Sequence, residues 1–155
     1  MILNQRQALD VAVEMEKRAI RIYERALLLT ADEQVLSGIR NILAEEQEHL
    51  RRFTQMRGER ALSSAEERVL TEAMAAEALF PGGVMAMTRL DALTTLPGLY
   101  RFAARSEQEA IDRYVAFASQ CEDEAVCEAF RAIAREEVTH LAALNQSLAD
   151  LEAKA

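Results

Sequence analysis

The stretch AEEQEHLRRF, residues 44–53, sets two polar side chains among apolar ones. Val35, Leu36, Ile39, Ile42, Leu43, Leu50 and Phe53 recur at the three- and four-residue steps of one helical face. Glu46 and His49 fall on that same face, while Glu45, Glu48, Arg51 and Arg52 mostly fall off it. A glutamate and a histidine three apart lie on neighbouring positions of one helix surface, within reach of a common centre.

The same arrangement returns 91 residues later. Ala12, Glu16, Ala19, Ile20 and Tyr23 are answered by Ala103, Glu107, Ala110, Ile111 and Tyr114. The register continues without a gap through Asp32/Asp123, Val35/Val126, Arg40/Arg131, Ile42/Ile133, Glu45/Glu136, Glu46/Glu137, His49/His140 and Leu50/Leu141. Two related helical hairpins follow from this repeat.

Composition agrees with an all-α chain. Of 155 residues half are hydrophobic, and only five are glycine and two proline, so turns are scarce and long helices are favoured. The length suits one domain: hairpin 1 at about 4–58, a crossover at about 59–96 and hairpin 2 at about 97–153. The helices are expected at about Gln5–Leu29, Asp32–Gly58, Pro97–Ala118 and Glu122–Leu151. Asn4 with Gln7 reads as a capping box for the first, and Thr30 with Glu33 for the second. In the crossover, Ser63 and Ser64 with Glu66 and Glu67 begin a short helix reaching Leu79, which Pro81-Gly82-Gly83 ends. A crossover of this length carries the chain back along the bundle, so that helices two and three run parallel. Met85 and Met87 within it read as packing or subunit contacts.

The net charge of −8 argues against nucleic acid or an anionic membrane as partner. No apolar run reaches a membrane span, and the amphipathic start is unlike a signal peptide, so a soluble, cytoplasmic protein is expected. Cys121, near the start of the fourth helix, and Cys127 are six apart; if both were helical they would point in different directions, and no disulfide is expected. Cys127 falls on an apolar stripe as a core residue.

Six polar residues therefore sit on inward stripes: Glu16, Glu46, His49, Glu107, Glu137 and His140, which include both histidines of the chain. Four enclosed carboxylates would protonate unless cations balanced them. Two divalent ions supply the matching charge, and mixed oxygen and nitrogen ligation without thiolates suits iron or manganese.

This pattern resembles the ferritin-like superfamily of di-iron carboxylate proteins, with a four-helix bundle of two hairpins joined by a long crossover. The nearer likeness is to rubrerythrin. MEKRAIRIYERA and SEQEAIDRYVAFA resemble its first and third helices, and AEEQEHL and REEVTHL its second and fourth. The resemblance implies a site of two iron ions, with manganese or a mixed pair as alternatives. Glu16 and Glu107 would be terminal ligands, Glu46 and Glu137 bridging ligands, and His49 and His140 the nitrogen ligands. Tyr23 and Tyr114 would donate hydrogen bonds to the bridging carboxylates. The implied activity is that of an oxidoreductase, a peroxidase reducing hydrogen peroxide or O2, in a homodimer. A ferroxidase or an oxygenase acting on an organic substrate are the alternatives. Rubrerythrin peroxidases carry a further glutamate where this chain has Ala110, and a four-cysteine rubredoxin-like tail that is not found up to Ala155. Electrons are accordingly expected from an external donor protein.

Overall fold

The computed structural model describes residues 3–76 and 94–154. Within them the chain forms α1 (Gln5–Leu27), α2 (Glu33–Arg57), α3 (Ser64–Ala76), α4 (Leu96–Ala118) and α5 (Glu124–Ala153), and no strand. The fold is all-α, as a ferritin-like helical bundle requires. The proposed turn at Pro81-Gly82-Gly83, Met85, Met87 and the reach of the short helix to Leu79 lie outside the described residues.

Local chemistry sets the helix ends. Asn4 and Gln7 form both halves of a capping box on α1. Asp32 caps α2, its Oδ1 accepting from the amides of Gln34 and Val35, and Asp123 caps α5 in the same way through Ala125 and Val126. Thr30 does not form the expected box with Glu33. Its hydroxyl accepts from the amide of Asp32 instead, so the aspartate takes the cap. α2 stops at Gly58, whose φ of 76° lies in the left-handed region that favours glycine. The Ser63–Glu66 box begins α3 as read from the sequence.

α1 packs along α2 and α4 along α5, each pair joined by a short turn. α1 and α4 meet across the centre of the bundle, α3 lies against α1, and α2 and α5 keep their backbones farther apart and meet through long side chains. Two apolar clusters fill the interior. One contains Val11, Met15, Phe53, Tyr114, Phe130 and Ile133. The other contains Ile22, Tyr23, Ile39, Leu99, Phe102 and Leu144. Phe53, Tyr114 and Phe130 touch one another with ring centroids 5.1 to 5.8 Å apart, and all three are fully enclosed. Phe130→Ala should therefore cost about 3–5 kcal/mol in urea unfolding, through lost contacts and the cavity left behind. A loss below about 1 kcal/mol would place this ring outside the core.

The turn between α4 and α5 overturns one expectation. Cys121 and Cys127 are joined by a disulfide. On a continuous helix a separation of six would span about 9 Å of axis. Instead α4 ends at Ala118, Asp123 caps α5, and Cys121 sits in the reversal between them, so the Cα atoms are 5.7 Å apart. Cys127 is buried as expected. Gln5 of α1 fastens the same turn, its side-chain oxygen accepting from the amides of Glu122 and Asp123.

Candidate metal centre

Each long helix brings acid to the middle of the bundle. Glu16 comes from α1, Glu46 and His49 from α2, Glu107 from α4, and Glu137 and His140 from α5; none is more than 2 % exposed. They form two overlapping groups. Glu16, Glu46, His49 and Glu137 can point one atom each to a common centre, and so can Glu46, Glu107, Glu137 and His140. Within each group these atoms lie within 4.8 Å of one another. Glu46 and Glu137 belong to both groups, Glu16 with His49 to one, and Glu107 with His140 to the other. The two imidazoles stack at 5.8 Å between centroids.

Both histidines turn Nδ1 inward. His49 Nδ1 lies 3.1 Å from Glu137 Oε1, and His140 Nδ1 lies 2.8 Å from both Glu46 Oε1 and Glu137 Oε2. The opposite ring nitrogen is held from the other hairpin. His49 Nε2 meets Glu136 Oε2 at 2.8 Å, and His140 Nε2 meets Glu45 Oε2 at 2.6 Å. Such an outer carboxylate fixes which nitrogen faces a metal. The inward periodicity missed Glu45 and Glu136, because both are about half exposed and sit off the apolar stripe. The 91-residue repeat was the available signal, since it returns Glu45 as Glu136 immediately before the glutamate of each Glu-x-x-His.

The tyrosines reach different partners from those implied by resemblance. Tyr114 donates to Glu16 Oε1 at 2.5 Å, and Tyr23 donates to Glu107. These are the unshared glutamates, not the shared pair. The reason is lateral packing: α1 and α4 face each other, so each tyrosine crosses to the glutamate of the facing helix.

The electrostatics follow from burial. Desolvation lifts the Glu16 carboxyl well above the usual range, with Glu46 and Glu137 adding to it. Glu107 is raised in the same way. Burial also pushes Glu137 up, but hydrogen bonds from His140 and His49 prevail and hold it down to about 2. Burial pulls the imidazoles down, yet the facing carboxylates lift His49 to about 11 and His140 to about 12. Without a metal, protons do the work of balancing charge.

The residues fit a bound cation. Both oxygens of Glu46 and Nδ1 of His49 are buried and make no aligned hydrogen bond among the described residues. The 2.8 Å contact of Glu46 Oε1 with His140 is an ion-pair distance without that alignment. A buried carboxylate lacking donors costs several kcal/mol, which a cation between these atoms would offset.

Residues 100–155 match the family model for rubrerythrin. The rubrerythrin match spans most of α4 and all of α5, and so contains Glu107, Tyr114, Glu137 and His140. Together with the all-helical fold, the match is consistent with a rubrerythrin-type protein, and the repeat places the same residue types in the first hairpin. No curated protein and no solved structure significantly matches the chain.

Proposed function

We propose that the chain is a non-haem di-iron oxidoreductase of rubrerythrin type that reduces hydrogen peroxide or O2. The observation that carries this reading is the pair of ligand groups sharing Glu46 and Glu137. Glu16 and His49 would complete one metal site, and Glu107 and His140 the other. When bound, two ferrous ions supply one electron each to an O–O bond.

The chain's own groups set the conditions for that chemistry. Glu136 and Glu45 hold the two imidazoles with Nδ1 inward. Tyr114 and Tyr23 hold Glu16 and Glu107 in place by their hydroxyls. Phe53, Phe130 and Ile133, all fully enclosed, close the His49 side of the site to water. Between α1 and α4 a narrow cleft lined by Ala19, Ser106 and Ala110 reaches Glu16, Glu46, Glu107 and Glu137. It has room for about one water, a size that suits O2 or hydrogen peroxide. Ala110, where rubrerythrin peroxidases have a further glutamate, leaves that cleft free of another carboxylate. An external protein would supply electrons, and the resemblance favours a homodimer in the cytoplasm.

Anaerobic titration with Fe(II), followed by separate additions of H2O2 and O2, tests this. We expect saturation at two irons per chain and faster oxidation by peroxide than by O2. Continued iron uptake with O2 would point to a ferroxidase, and absence of oxidation by either would remove the proposal.

A further inference from the structure

The two hairpins are near-repeats, yet the bundle is not the same around its two histidines. Beside His49, Phe53 and Phe130 are fully buried with ring centroids 5.1 Å apart. At the corresponding positions beside His140 stand Leu144 and Ile39. Arg52 and Met56 are likewise replaced by Ala143 and Ser147, and Ala129 by Gly38. Every one of these five exchanges removes volume. What remains is a pocket of about 280 Å3 between α2 and α5, reaching inward to Tyr23 and His140. A Cβ added at Gly38 would meet nothing within 4 Å, as expected of an open wall.

The charge changes too. Glu136 touches His49 and also Arg52, whose Nη1 lies 3.5 Å away. Its counterpart Glu45 touches His140 but, among the described residues, no arginine or lysine, because Ala143 occupies the place of the arginine. The Glu45 side chain is 56 % exposed and lines the pocket. The same wall has gained neutral hydrogen-bonding groups: Asn41 and Gln34 stand where the other hairpin has Ala132 and Ala125. A cavity this size is near the lower end for small-molecule sites, which combine apolar walls with a few polar anchors.

We propose that this pocket binds a small organic cation, with an ammonium group on Glu45 and an apolar body against Ile39, Leu144 and Tyr100. The ligand takes the place of the missing arginine and of the missing aromatic bulk at once. The net charge of −8 favours the approach of such a cation. The inference is independent of the metal reading, since the pocket lies on the outer side of His140, at its Nε2–Glu45 contact.

Benzylamine is the probe, measured against the full chain by calorimetry and by amide NMR shifts. One molecule should bind per chain, shifting Gly38 and Ala143, with benzyl alcohol about tenfold weaker or worse for want of the charge-assisted contact. Ala143→Arg, at an exposed position, restores the sibling arginine and should weaken benzylamine by about tenfold or more. Ser147→Met should do the same by filling space, and Arg52→Ala on the other side should change nothing. Equal binding of benzyl alcohol, indifference to both pocket variants, or no saturable binding overturns the proposal. So does a dimer in sedimentation that Ala143→Arg splits, which would give the pocket to a second copy of the chain.

Discussion

On the proposed two-ion reading, Glu46→Ala and Glu137→Ala should each lose both metal ions, whereas Glu16→Ala and Glu107→Ala should each keep about one. This is the expected pattern because Glu46 and Glu137 belong to both ligand groups, and Glu16 and Glu107 to one each. His140→Ala should behave like Glu107→Ala and retain the ion held by Glu16 and His49. Losing one ligand from a small cluster typically costs an order of magnitude or more in affinity, since even an outer partner is worth about 10- to 100-fold. Equilibrium dialysis against Mn(II), with metal analysis of the retained protein, reads the stoichiometry without any turnover. Two ions retained by Glu46→Ala would remove the shared-ligand arrangement. Equal losses in all four glutamate variants would mean that the ions bind as an inseparable pair.

The second large effect is a reversal of pH dependence on metal binding. In the metal-free protein His49 and His140 are lifted from 6.5 to about 11 and about 12, and Glu16 and Glu107 are raised well above 4.5. All four hold protons when folded that they release when unfolded. Stability from such groups is fully present below their unfolded values and is lost as pH rises toward the folded ones. Glu137 runs the other way: lowered from 4.5 to about 2, it contributes above 4.5 and is lost in acid. Chelator-treated protein should thus be most stable near pH 4.5, weaken above it as Glu16 and Glu107 lose their contribution, and weaken further above pH 6.5 as the histidines do. The slope is about 1.4 kcal/mol per pH unit for each proton held only by the folded state. Ions displace those same protons, so protection by Mn(II) should grow over the same range. Urea unfolding at pH 6 and pH 8, with and without Mn(II), measures both trends. A metal-free protein that gains stability at pH 8 would contradict the balance of charges described here.

Much of this was legible because local rules and the core pattern agreed. Asn4 with Gln7 marked the start of α1, and Gly58 the end of α2. The six inward polar residues stood out because enclosed charge is rare, and the 91-residue offset paired them. What escaped depended on geometry between elements. The Cys121–Cys127 bond turned on how the reversal between Ala118 and Asp123 folds Cys121 back against the first turn of α5, although the helix end at Ala118 was read correctly. The tyrosine partners turned on α1 lying against α4, a choice that helical periodicity does not encode. Glu45 and Glu136 looked like ordinary surface acids until the histidines of the opposite hairpin were placed against them.

That crosswise hold has an ancestral consequence. Each hairpin lends its carboxylate to the imidazole of the other, and the tyrosines are exchanged in the same manner. One hairpin alone leaves its own histidine unanchored, but two identical copies, paired about a twofold axis, would supply all ten groups. A gene half this long could have encoded a working self-paired protein, with duplication and fusion coming afterwards. Only fusion would have freed the two halves to diverge, so that the bundle closes tightly beside His49 with Phe53 and Phe130 and opens beside His140.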